Sequence, residues 1–114
     1  MSPAEARKIA LSFPGTLEKM SFGTPAIFIG KQLFVRIGTR EPDTLMLGAS
    51  SFEARDLLIE SDPAAFFVTE HFRSYKGLLA RLKKLDKKTF QALLERRWRE
   101  IAPKKLQKQF PHPR

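Results

Sequence analysis

The chain contains no cysteine, which excludes disulfides and thiolate-ligated zinc and suits a reducing compartment. Histidine is nearly as scarce. His71 and His112 stand far apart, in no helical i, i+4 pair and no other metal-like cluster. Glycines are isolated, as in Phe22-Gly23-Thr24 and Leu47-Gly48-Ala49, so no phosphate-cradling loop is present. No stretch approaches the ~20 consecutive apolar residues that span a bilayer. At the N-terminus, Glu5, Arg7 and Lys8 interrupt any apolar run that could serve as a secretory signal. These absences lead us to expect a soluble, cytoplasmic protein with no metal, no cofactor and no membrane partner. Catalytic residues are also lacking: Glu70 and His71 are adjacent and would point apart in a strand, and a surface-loop histidine needs no catalytic role. The chain is expected not to be an enzyme.

What is abundant is positive charge, and it is placed unevenly. Residues 1–80 carry nine basic and nine acidic side chains, whereas residues 81–114 carry twelve basic and three acidic ones. The whole net charge of +9 therefore belongs to the C-terminal third. Such asymmetry fits a polyanionic partner, and a generic solubility charge is the plainer alternative. At 114 residues the chain makes one domain, large enough to bury roughly two-thirds of its unfolded surface.

Ser2, Pro3 and Glu5 form a capping box with proline at the first helical position, and Ala6, Ile9, Ala10 and Phe13 follow at helical spacing. Pro14-Gly15 ends this helix, and residues 16–24 read as either extended or looped. Pro25 to Ile29, Leu33 to Ile37 and Leu45 to Ala49 read as strands. Ser50 with Glu53 repeats the capping signature for a second helix with the stripe Phe52, Leu57 and Leu58, ended by Asp62-Pro63. Phe66 to Thr69 and Leu78 to Lys83 read as two more strands around a polar aromatic loop, Glu70 to Gly77. Asp86 caps the last helix, whose stripe is Phe90, Leu93, Leu94, Trp98 and Ile101. Arg97 interrupts that stripe, either by snorkelling past Trp98 or because the helix end is less buried than its pattern. Pro103 limits the helix, and Lys104 to Arg114 reads as a partly disordered tail. The predicted fold is α+β: a two-layer sandwich of five antiparallel strands with three helices on one face, in the order α-β3-α-β2-α.

That arrangement leaves one sheet face open. Alternation sends Ile27, Ile29, Leu33, Val35 and Ile37 toward the helices, and Phe28, Phe34 and Arg36 to the other side. It sends Leu78, Ala80 and Leu82 inward, and Arg81 and Lys83 outward. A face with aromatic rings and cations has the two ingredients of a sequence-tolerant nucleic-acid platform. The alternative is a dimer interface or a second small core rimmed by bases. On the last helix Lys88, Arg96 and Arg99 fall on the solvent side.

The chain also resembles a known family. Leu11-Ser12-Phe13-Pro14-Gly15, Phe22-Gly23-Thr24-Pro25-Ala26 and Gly30-Lys31-Gln32-Leu33-Phe34 carry the first part of the likeness. Asp62-Pro63, Phe66-Phe67-Val68-Thr69, His71-Phe72-Arg73, Tyr75, Arg81-Leu82 and the segment Trp98 to Leu106 carry the rest. Over about residues 3–106 these resemble the bacterial MmcQ/YjbR-like proteins. The resemblance implies a fold related to CyaY/frataxin-like and secretion-chaperone-like sandwiches, and DNA binding through a double-wing arrangement; it supplies no catalytic residues. Gly77 stands where many relatives have a bulky aromatic, and Arg97 where they have a small residue. Iron, which the frataxin relation raises, needs clustered carboxylates, and the acids here are dispersed.

The resulting expectation is a single domain over residues 1–106 with a basic, flexible tail over 107–114, monomeric or weakly dimeric. It would bind nucleic acid, DNA before RNA, with low sequence specificity. Arg36, Arg73, Lys76, Arg81, Lys83 and Lys84 are the contact candidates, with Phe28 and Phe34 as stacking groups. The alternative is a non-catalytic, chaperone-like adaptor that uses the same open face.

Overall fold

The computed structural model describes residues 1–21, 23–39 and 41–109. Helix α1 (Pro3–Leu11) is followed by strands β1 (Thr16–Ser21), β2 (Thr24–Ile29), β3 (Gln32–Ile37) and β4 (Thr44–Gly48). Then come α2 (Phe52–Ser61), β5 (Phe66–Phe67), β6 (Gly77–Arg81), α3 (Lys87–Ile101) and α4 (Lys104–Gln109). Short 3-10 turns occupy Glu70–Phe72 and Leu82–Lys84. The strands form one antiparallel sheet in the order β1-β2-β3-β4-β6-β5. The sheet thus has six strands where five were expected, because Thr16–Ser21 pairs along its length with β2. Its side chains mix Leu17, Glu18, Lys19 and Met20, a weak strand pattern that only an edge position tolerates.

The capping signals operate as the sequence implies. The Ser2 hydroxyl accepts from the Glu5 amide at 3.1 Å and the Glu5 carboxylate accepts from the Ser2 amide at 2.9 Å. Asp86 caps α3 through the Thr89 amide at 2.7 Å. For α2 the cap is Ser51, one residue beyond the expected Ser50, accepting from the Ala54 amide. Its buried side is also rotated from the expected stripe. Phe52 and Leu57 are exposed, while Arg55 is buried and Leu58 and Ile59 pack on the core.

The main core lies between the helices and the sheet. Ala6 and Ala10 of α1 and Phe90, Leu94 and Trp98 of α3 join Ile27, Ile29, Val35, Ile37, Leu45, Leu78 and Ala80 in one cluster. Ala6 and Ala10 let α1 approach closely, and the Trp98 indole donates to the Pro14 carbonyl at 2.9 Å, satisfying its buried N–H. Helix α4 belongs to this layer too. Leu106 packs against the core over Gly15, whose φ of +78° and lack of a side chain leave it the room. Gln107 donates to the carbonyls of Arg99 and Ala102 at 3.1 and 2.8 Å. Residues 104–109 are therefore docked helix where a loose tail was expected; the rest of that segment, with His112, lies outside the described residues.

Alternation fails at one point, and the failure moves a candidate residue. Ile27 pairs with Val35 and Phe28 with Leu33, so the register between β2 and β3 shifts at Ile27/Phe28 and Phe34 is the unmatched residue of a β-bulge. Phe34 and Val35 consequently both face the main core, and Leu33 turns to the other face. Phe34 is fully buried and meets Phe13 edge-on, with centroids 5.4 Å apart. It is a core residue, not a stacking group.

Two outcomes follow. Phe34→Ala should cost about 3–5 kcal/mol in denaturant unfolding, against a smaller loss for half-buried Phe28→Ala. Glu5, held down to about 2 by the Lys87 ammonium 2.6 Å away and the Ser2 amide, has a folded value below its ordinary 4.5. Its stabilisation is fully present above the ordinary value and is lost as pH falls toward about 2. Glu5→Gln should therefore lower Tm at neutral pH, and thermal melts should show the gap to the parent protein closing as pH drops through that window.

Candidate nucleic-acid interface

The sheet face away from the main core carries its own apolar patch. Ala26, Leu33, Met46 and Leu79 are buried there, with Phe28, Phe67 and Phe72 packed on them. Phe72 arrives from the 3-10 turn Glu70–Phe72, so part of this face is covered by the segment between β5 and β6. Around the patch, register sets the cations. Arg36 sits opposite Ala26 and Met46, Lys19 opposite Ala26 on the edge strand, and Arg81 opposite Thr44.

Each of these cations is positioned differently. The Arg81 guanidinium lies 4.0 Å over the Phe67 ring centroid and donates to the Ala64 carbonyl at 3.1 Å. This cation–π contact and hydrogen bond fix the guanidinium plane while leaving the side chain half-exposed. Lys19 reaches over Phe28 at 5.6 Å. Arg36 is tied down more firmly: it donates to the Ser21 carbonyl at 2.9 Å, the Ser21 hydroxyl at 3.3 Å and the Thr24 hydroxyl at 3.4 Å. It clasps the β1–β2 end of the sheet.

Four of the candidates line two hollows. Arg81, Lys83 and Lys84 line one of about 310 Å³ together with Phe67, Glu41 and Asp43. Lys83 and Lys84 lie on the 3-10 turn after β6 rather than in a strand, and both are exposed. Lys83 is 3.9 Å from Asp43, a separation that contributes little at the surface. The second hollow, about 680 Å³, is lined by Arg36, His71, Phe72 and Tyr75 with Thr24, Leu33 and Thr39 among the other walls. Arg73 and Lys76, on the covering segment, are both exposed and line neither hollow, and Arg73 pairs with Glu70 at 2.6 Å. Phe28 lies beside this apolar patch, whereas Phe34 is on the opposite side of the sheet.

The covering segment is pinned from behind. Arg55 of α2, buried, donates to the Arg73 carbonyl at 2.7 Å and the Tyr75 carbonyl at 3.2 Å, with Asp56 at 3.0 Å balancing its charge. Arg97 of α3 donates to the Leu33 carbonyl at 3.2 Å. Its guanidinium occupies the space a side chain at Gly48 would need, since a Cβ there would meet Nη2 at 2.7 Å. The register partner of Gly48 is Gly77, and there the Tyr75 ring fills the corresponding space, 2.7 Å from where a Cβ would stand. An aromatic residue at position 77 and Tyr75 in its present place are therefore mutually exclusive. Burial pushes the Arg97 pKa below its ordinary value, with Glu100 at 3.7 Å and then Tyr75 opposing the shift.

Lys19, Phe67 and Arg55 escaped sequence reasoning. Lys19 would have followed from recognising β1, and Phe67 from the alternation of a two-residue strand against Leu79 and Ala80. The spacing of Arg55 with Leu58 and Ile59 was the available signal for Arg55.

The family model for YjbR matches residues 11–100, spanning β1 through most of α3. The chain belongs to the YjbR family. Curated relatives in Mycobacterium bovis and Mycobacterium tuberculosis, each described as an uncharacterised protein, are 28% identical over 82 residues. That match covers 70% of this chain and 64% of each relative. No solved structure matches at a significant level. Among the described residues no helix is long and apolar enough to cross a membrane, and no group of three or more potential ligands could hold a metal ion.

In this YjbR-family chain, Arg55→Met should remove the two hydrogen bonds from Nη1 that hold the covering segment. Amide hydrogen exchange over residues 69–77 should accelerate, with a stability loss of about 1–3 kcal/mol that comes chiefly from the Arg73 carbonyl, since the Tyr75 carbonyl keeps the Gly77 amide.

Proposed function

We propose that the chain is a nucleic-acid-binding protein that takes single-stranded segments, DNA first, across the helix-free sheet face with low sequence specificity. The observation that carries the reading is the hollow in which Arg81, stacked on Phe67, stands beside Lys83 and Lys84. Phosphates are met by ammonium groups, and a base can stack on the outer face of a guanidinium whose inner face is already on an aromatic ring. Backbone charge and stacking read no base edges, which accounts for the low specificity. The resemblance to proteins described as DNA-binding supports DNA as the first partner to test. A cytoplasmic monomer or weak homodimer, binding rather than catalysing, completes the reading.

A second reading, a non-catalytic adaptor, draws on a different observation. Leu17 is 55% exposed and Tyr75 41% exposed beside the buried apolar patch, a margin that suits an apolar peptide.

Salt dependence separates the two. For single strands the affinity should fall with log salt by about 0.7 per phosphate contact, so Arg81→Gln with Lys83→Gln and Lys84→Gln should flatten the slope by about two units. Fluorescence anisotropy with labelled single- and double-stranded oligonucleotides at several salt concentrations measures it. Phe28→Ala should weaken single-strand binding more than duplex binding. An unchanged slope in the triple variant would remove the sheet face from nucleic-acid binding and leave the adaptor reading.

A further inference from the structure

On the opposite side of the sheet, between α2, α3 and the end of β4, lies a cavity of about 390 Å³. Leucines make its apolar lining: Leu47 and Leu78 come from the sheet, Leu57 and Leu58 from α2, and Leu93 from α3. The volume falls at the lower end of the range for small-molecule sites, and an apolar lining with few polar groups is their usual character. Here the charged groups are mostly cationic, Arg55, Arg96 and Arg97 against Glu100.

Their charges do not cancel. Arg55 reaches this wall but is balanced by Asp56 and by the carbonyls of Arg73 and Tyr75. Arg97 is balanced incompletely: Glu100 stands 3.7 Å away, beyond hydrogen-bonding distance, and the buried Arg97 Nε has no hydrogen-bond partner. Arg96 is exposed at the same cavity and makes no ion pair among the described residues. Arg55, Arg96 and Arg97 set against Asp56 and Glu100 leave one net positive charge at this apolar wall, shared by the exposed Arg96 and the partly desolvated Arg97.

We propose that this cavity binds a small amphipathic monocarboxylate, its carboxylate against Arg96 and Arg97 and its alkyl or aryl body against the leucines. A monoanion matches the single uncompensated charge, and guanidinium groups suit a planar carboxylate. A dianionic phosphate would exceed that charge and leave the apolar wall unfilled. A neutral apolar ligand would fill the wall but leave the guanidinium uncompensated. Gly48 contributes by leaving the space that the Arg97 guanidinium occupies. The site is separate from the nucleic-acid hollows and does not depend on them.

Octanoate and its neutral counterpart 1-octanol, titrated into the full chain by calorimetry, provide the test. Octanoate should bind saturably and at least about tenfold more tightly than octanol, as expected for a charge-matched pocket. Arg96→Gln should weaken octanoate several-fold and leave octanol unchanged. Ala54, exposed on α2 at the cavity, offers a variant that does not disturb the core. Ala54→Phe should fill the space and weaken both ligands, while its melting temperature without ligand stays close to the parent's. The Arg81, Lys83 and Lys84 triple variant should bind octanoate as the parent does. No saturable octanoate binding, equal affinity for octanol, indifference to Ala54→Phe, or loss in the triple variant would each overturn the proposal.

Discussion

The bulge at Phe34 sets the terms for both faces of the sheet. Two successive residues, Phe34 and Val35, enter the main core because β3 carries one residue more than β2 can match. The same shift turns Leu33 across the sheet, where it helps to found the second apolar patch with Met46 and Leu79. Its carbonyl, outside the regular ladder, is then available to Arg97. Arg36, two residues beyond Phe34, keeps its place on the helix-free face and closes the β1–β2 end. The edge contact of Phe34 with Phe13, the patch under Phe72 and the seat of Arg97 thus share one local irregularity.

Much of this fold was legible where local chemistry decides the outcome. The capping box at Ser2, the Asp86 cap and the α3 stripe of Phe90, Leu94 and Trp98 stand where spacing put them. What escaped was decided by pairing. Strand β1 has a poor pattern of its own and exists because β2 offers it a partner along six residues. A bulge likewise leaves no mark in alternation, since Phe34 looks like any strand residue until its partner strand is known. For the candidate site the residue types were readable and the grouping was not. Arg81, Lys83 and Lys84 come together through a turn after β6, while Arg36 is held by Ser21 and Thr24, which sequence distance conceals.

Two arginines do similar work from different helices. Arg55 leaves α2 to hold the carbonyls of the covering segment, and Arg97 leaves α3 to hold a carbonyl at the start of β3. In each case a long cation satisfies backbone oxygens that the sheet ladder cannot reach, tying the helical layer to irregular backbone. The arrangement also explains why the glycines at 48 and 77 sit opposite each other. Neither can carry a side chain while Arg97 and Tyr75 fill those spaces.

Helix α4 packs through Leu106 onto the helical layer, and this placement bears on how the positive charge is distributed. Lys104, Lys105 and Lys108 are carried on that side, whereas Arg81 belongs to the other face of the sheet. Basic side chains therefore stand on both sides of the sheet. If the partner is the polyanion proposed above, charge on both sides would raise the rate of encounter without orienting the approach. On the nucleic-acid reading, orientation would be left to short-range contacts made after collision, so that capture and alignment would be successive events.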